Sequence, residues 1–176
     1  MRILLDETRV DVSYCQAMIL TDEDADAGDY DAPWADESNG LCGAGVPGML
    51  ALITGTHTGW VAFRIESHEI EPVLDAEWGD VVEVSFETTR DEAFLAGLMG
   101  EVFAFPLPRG GYRVRYCARG LDDAHERDDA EDRYLLQFWP APPAPGRILV
   151  QTSDQAAYWH RFRRTLAPEE WNEQER

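Results

Sequence analysis

Apolar and polar positions alternate along this chain in short runs with a period of two, and turn residues separate the runs. That is the pattern of half-buried β-strands. The first run, Val10 to Leu20, places Val10, Val12, Tyr14, Gln16 and Met18 on one face and Cys15, Ala17 and Ile19 on the other. Met49 to Thr54 is continuously apolar up to its last residue, which predicts a strand covered on both sides. In Trp60 to Ser67, Val61, Phe63 and Ile65 alternate with Ala62, Arg64 and Glu66, as in a strand with one wet face. Asp80 to Thr88 alternates in the same way. Val102 to Leu107 keeps Phe103, Phe105 and Leu107 in phase, and the turn Pro108-Arg109-Gly110-Gly111 follows. Tyr112 to Ala118 points Tyr112, Val114 and Tyr116 inward and Arg113 and Arg115 outward, and Arg133 to Trp139 is the seventh run. Seven short strands with hairpin-like turns predict a mainly all-β fold, an antiparallel sandwich or barrel, with the β-sandwich as the expected form.

Three intervals break the pattern. Thr21 to Gly48 holds eight acids and no arginine and reads as a long loop with an irregular turn around Trp34. Leu121 to Asp132 holds seven acids and one arginine and links the last two strands. Pro140 to Pro145 is expected to end the sheet as a short polyproline II spacer. Beyond it Ser153 is an N-cap candidate for a helix in which Tyr158, Phe162 and Leu166 form an apolar stripe. Pro168-Glu169-Glu170 predicts a second short helical start. The expected organisation is a sandwich over residues 1–145, with acidic loops 21–48 and 121–132, and a helical tail over 146–176.

Composition narrows the chemistry. The 176 residues carry 34 acids against 15 cations, a net charge of −19, and all the cations are arginine. Without lysine there is no P-loop, Schiff base or kinase chemistry. The negative field repels a nucleic-acid backbone and favours a basic partner. No apolar run is long enough to span a membrane, and Met1 to Arg9, with Asp6 and Glu7, does not read as a secretory signal. Cys15, Cys42 and Cys117 lack a CxxC pair, so neither a disulfide framework nor a zinc site is expected, and a reducing cytoplasm is the expected compartment.

Catalytic candidates are sparse. His57 sits in a small-residue turn and reads as part of a polar link between strands, the alternative being a hydrolase built on it. His125 lies in an acidic loop, and His160 on the tail helix is expected to be partly buried. Cys42 has flexible flanks but acidic or neutral neighbours, which blunt a thiolate. Asp22, Glu23, Asp24 and Asp26 have oxygen ligands for calcium but lack the glycine and terminal glutamate of an EF-hand loop. A solvated acidic loop is the reading here, with no metal, no cofactor and no enzymatic activity expected. Binding is favoured instead. Asp22, Glu23, Asp24, Asp26, Asp29, Asp31 and Trp34 in the first acidic loop, and Asp122, Asp123, Asp128 and Asp129 in the second, are the candidate partner-binding residues. Charge there steers a basic protein, and tryptophan beside charge is hot-spot material.

Four motifs in order carry a family resemblance: Val12-Ser13-Tyr14-x-Gln16, Phe63-Arg64-Ile65-x-Ser67, Phe105-x-Leu107-Pro108-Arg109-Gly110-x-Tyr112-x-Val114 and Asp132-x-Tyr134-Leu135-Leu136. Over about Val12 to Phe138 the chain resembles the ComJ-like competence proteins. These are small cytoplasmic inhibitors of a DNA-entry nuclease. The resemblance implies a nuclease inhibitor or immunity-type protein whose acidic surface mimics phosphates. The longer acidic loops and the segment after Pro140 depart from that pattern. The other reading is a structural or small-ligand-binding sandwich with no basic protein target.

Overall fold

The computed structural model describes residues 1–22, 31–126 and 131–166. Its strands are β1 (Arg2–Val12), β2 (Gln16–Leu20), β3 (Cys42–Gly43), β4 (Met49–Ile53), β5 (Gly59–Ser67), β6 (Asp80–Thr88), β7 (Glu92–Gly97), β8 (Val102–Pro106), β9 (Gly110–Arg119), β10 (Arg133–Pro140) and β11 (Arg147–Val150). Two helices, α1 (Leu121–Glu126) and α2 (Asp154–Leu166), and a 3-10 turn at Ala32–Trp34 complete it. One sheet runs β1-β5-β10-β9-β6-β11 and the other β3-β4-β2-β7-β8. Pairing is antiparallel throughout except between β5 and β10, which are parallel. The sheets stack face to face as a sandwich.

Alternation builds the core, as the period of two requires. Val61, Phe63 and Ile65 of β5, Leu136 and Phe138 of β10, and Val82 and Val84 of β6 are buried in one cluster with Ala17, Ile19, Leu50, Leu52 and Leu95 of the opposite sheet. Phe63, Tyr134 and Tyr116 stack at 4.9 and 5.7 Å. The buried hydroxyls are satisfied: Tyr116 donates to the Ile53 carbonyl at 2.8 Å, and Tyr134 donates to Asp132 and accepts from the Gly55 N–H.

Several expectations need correction. Val10 to Leu20 is not one strand. Tyr14 and Cys15 hold φ of 55° and 58°, and the chain leaves one sheet for the other at this turn. Val10 and Val12 are therefore buried while Tyr14 stands in solvent. Close passage there needs Gly97, because a Cβ at that position would lie 1.6 Å from the Asp11 carbonyl oxygen. The Leu121–Asp132 interval opens as α1 rather than as loop. Strands β1, β3, β7 and β11 extend or add to the seven expected.

Arg113 and Arg115 do point away from the core, yet both are buried. The outer face of the larger sheet is dry around Arg113 and Arg115 because the segments 68–79 and 141–146 lie over it there. Strand register places Glu66, Gln137, Arg115, Glu83 and Arg147 in one row across five adjacent strands. Fully buried Glu83 accepts from Arg115 at 2.9 Å and from Arg147 at 2.8 Å, and Arg113 stands 3.5 Å away. Arg115 also donates to the Pro72 carbonyl at 2.7 Å and to Glu71 at 3.2 Å. At the other end of the row, Glu66 collects Arg64, His68 and Gln137. Burial raises its pKa, but those three donors prevail and hold the carboxyl below its usual value. The proline-rich segment is no free spacer. Ser85 donates to the Ala144 carbonyl at 3.0 Å and accepts from its N–H at 2.9 Å, and Arg113 donates to the same carbonyl at 2.8 Å.

Candidate functional site: an acidic protein interface

Helix α2 organises both acidic segments. Ser153 caps it, accepting from the Ala156 N–H at 3.0 Å as expected of an N-cap serine. Asp122, brought over by α1, accepts from the N–H groups of Asp154 and Gln155 at 3.0 and 2.9 Å. A carboxylate is favoured there by both the orphan donors and the helix dipole. Near the other end, Arg163 lies 4.2 Å above the Trp34 ring and 3.2 Å from Asp31. Burial pulls the Arg163 pKa down, and Asp31 opposes that shift. Replacing Ser153 with alanine will lower unfolding free energy by about 1 kcal/mol, measured by urea denaturation, because the loss falls on one cap.

Between these contacts the middle of α2 meets the first acidic segment directly. The Gly40 N–H donates to His160 Nδ1 at 2.8 Å. Asn39, fully buried, accepts from the N–H groups of Leu41 and Cys42 and donates to the Cys42 carbonyl, which fixes the backbone that Gly40 belongs to. His160 is fully rather than partly buried. The expected stripe of Tyr158, Phe162 and Leu166 is not the packing face. Tyr158 and Phe162 stack on each other at the surface, and Ala156 and His160 turn inward.

Of the candidate residues, Asp31, Trp34, Asp122 and Asp123 are gathered around α2 and α1. Asp22 lies apart, paired with Arg90 at 2.6 Å. Glu23, Asp24, Asp26, Asp29, Asp128 and Asp129 lie outside the described residues, as does the start at Pro168-Glu169-Glu170. Among the described residues no group of three or more His, Cys, Asp or Glu side chains is placed to hold a metal ion. The three cysteines are free and buried. Burial pushes the Cys15 and Cys42 thiols up, Cys42 far up, and raises Cys117 to about 12. His57 is exposed, with Nδ1 2.8 Å from the Thr58 hydroxyl.

A groove of about 670 Å³ that the strand pattern did not reveal opens beside this region. Trp60, Trp78, Arg64, Arg119 and Arg133 line it. Trp60 and Arg64 were legible only as the wet face of a strand. Trp78 comes from the segment folded over the sheet, and sequence alternation carries no signal for such a covering.

No protein-family model matches the chain, and no curated protein matches it. Solved structures do. Crocagin biosynthetic gene J covers 79% of this chain and all of its own at 12% identity and a TM-score of 0.46. ComJ of Bacillus subtilis, inhibitor of the DNA-degrading activity of NucA, covers 80% of this chain and 98% of its own at 17% identity and a TM-score of 0.57. The resemblance to ComJ-like proteins therefore holds at the level of the fold.

Proposed function

We propose that the protein inhibits a DNA-degrading nuclease by binding it, without catalysis of its own, in the cytoplasm of the cell that makes it. The observation that carries this reading is the fold likeness to ComJ, which spans nearly all of that inhibitor. A net charge of −19 on the same scaffold supports it, since a nuclease groove that accepts DNA is basic. Fifteen of the 34 acids fall in the stretches 21–48 and 121–132, which concentrates the negative charge along the chain.

The test is capture from the source cell at low salt, release by a salt step, and assay of the released protein on plasmid DNA. A basic nuclease that loses activity when the protein is added in excess is the expected result. Its Kd should weaken at least tenfold as salt rises, because the Debye length shrinks from about 10 Å at 0.1 M to about 3 Å at 1 M. Release of no nuclease, or a nuclease fully active in the complex, overturns the reading in favour of a self-contained sandwich. An affinity indifferent to salt removes the role given to charge.

A further inference from the structure

The two-residue turn at Tyr14 and Cys15 is built against local preference. Both central residues sit in the left-handed region, as in the mirror-image turn that ordinarily takes Asn-Gly. Tertiary bonds hold it there. The Gln16 N–H donates to the Ser13 carbonyl, the Cys15 N–H to the His57 carbonyl at 3.0 Å, and the Thr54 N–H to the Cys15 carbonyl at 2.9 Å. The outcome is that Cys15 is buried and Tyr14 is fixed in solvent, 65% exposed, with its ring 5.3 Å from His57. Backbone strain kept in this way is a pointer to function.

The register between β1 and β5, with Asp11 opposite Trp60 and Val12 opposite Gly59, brings Trp60 to the same edge. Trp60 is 57% exposed and carries Arg9 at 4.7 Å from its ring centroid. It also forms part of the groove wall. The charges around the groove neutralise one another: Arg64 with Asp6 at 3.6 Å, Arg119 with Glu77 at 3.4 Å and Arg133 with Glu131 at 3.4 Å. On a molecule of charge −19 this is a locally balanced, aromatic and arginine-rich surface, the composition of an interface centre. The acidic segment adjoins it. Thr56 donates from its N–H and hydroxyl to Asp132, and Gly55 packs on Leu121 and Ala124 of α1.

We propose that the edge formed by Tyr14, His57 and Trp60 is the centre of the partner contact, with the exposed Asp123 and Glu131 as its steering rim. The occupant is the basic protein of the inhibitor reading, on which this inference rests. It places a protruding side chain in the groove. Its cations exchange with Arg64, Arg119 and Arg133 at the exposed carboxylates of Asp6, Glu77 and Glu131, whereas Asp31 and Asp122 serve mainly to hold α2.

The probe is the nuclease identified by salt-step capture, purified, with plasmid DNA as its substrate. Tyr14→Asn removes the ring and puts in its place a residue that tolerates the left-handed turn. The variant should melt at or above the wild-type temperature and inhibit at least tenfold more weakly. Trp60→Ala should lose at least tenfold as well. Inhibition by both variants within threefold of wild type, while wild type inhibits, overturns this inference alone. If wild type captures and inhibits no nuclease, the inhibitor reading fails and the inference falls with it.

Discussion

Replacing Glu83 with alanine will lower the melting temperature by about 10 °C. The carboxylate is fully buried on the outer face of the larger sheet and faces three guanidinium groups, of which Arg113 and Arg115 are themselves buried. Its removal leaves Arg113 and Arg115 with less counter-charge in a buried site. Glu71 remains near Arg115 and Arg147, but its side chain is half exposed and screened. Breaking a buried pair in this way costs about 3–5 kcal/mol. In a domain of this size that corresponds to roughly 2–4 °C for each kcal/mol. The strands on either side also lose their cross-link, because the row from Gln137 to Arg147 depends on Glu83 for its continuity. Glu83→Met combined with Arg115→Met should recover part of the loss, since an apolar pair of similar volume removes the desolvation cost of that pair together with its attraction, while Arg113 still lacks the carboxylate. Thermal melts of the single and double variants check this. A single variant melting within 2 °C of wild type would refute the account.

The second large effect is expected at the contact between Gly40 and α2. A Cβ at Gly40 would lie 2.1 Å from the Trp159 carbonyl oxygen and 2.3 Å from its carbon, both backbone atoms that cannot turn aside. Gly40→Ala should therefore displace α2 and cost about 3 kcal/mol, the upper part of the overpacking range. Trp34 and Trp159 fluorescence should shift with it, because Arg163 leaves the Trp34 ring when the helix moves. The same contact makes α2 sensitive to acid. His160 Nδ1 accepts from Gly40, so the neutral ring carries its proton on Nε2, and a second proton would set one N–H against another. Burial holds the His160 pKa below the usual histidine value, Arg164 acts in the same direction and Asp80 opposes them. The unfolded chain thus takes up a proton at higher pH than the folded one. Stability from this contact is complete above about pH 6.5, falls as the pH drops below that value, and levels off once the folded ring has titrated. His160→Gln keeps an acceptor for Gly40 without titrating. It should flatten the melting temperature between pH 7 and 5 relative to wild type, and an unchanged slope would exclude His160 as the source.

Much of this molecule is written in its pattern of alternation. The runs at Met49–Thr54, Trp60–Ser67, Asp80–Thr88, Val102–Leu107, Tyr112–Ala118 and Arg133–Trp139 are strands within a residue or two at each end. Ser153 caps the helix it was expected to cap. These features are local: side chains in a strand alternate whatever lies beyond it, and a cap bonds to its own next turn. The sandwich follows, because that many one-sided strands must bury their apolar faces against each other. The sequence by itself also determined the surplus of negative charge and the absence of lysine chemistry. Contacts distant in sequence decided the rest. Arg113 and Arg115 alternate like solvent-facing residues, and only the covering segments make that part of the face dry. Tyr14 continues the alternation of Val10 and Val12, and only bonds to the His57 carbonyl and from the Thr54 N–H impose the turn that expels it. The tail stripe of Tyr158 and Phe162 has the spacing of a packing face, but His160 meets Gly40 and fixes the opposite rotation of α2. Periodicity states which residues share a face. What comes to lie on that face depends on chain that is remote in sequence, and that was settled in three dimensions.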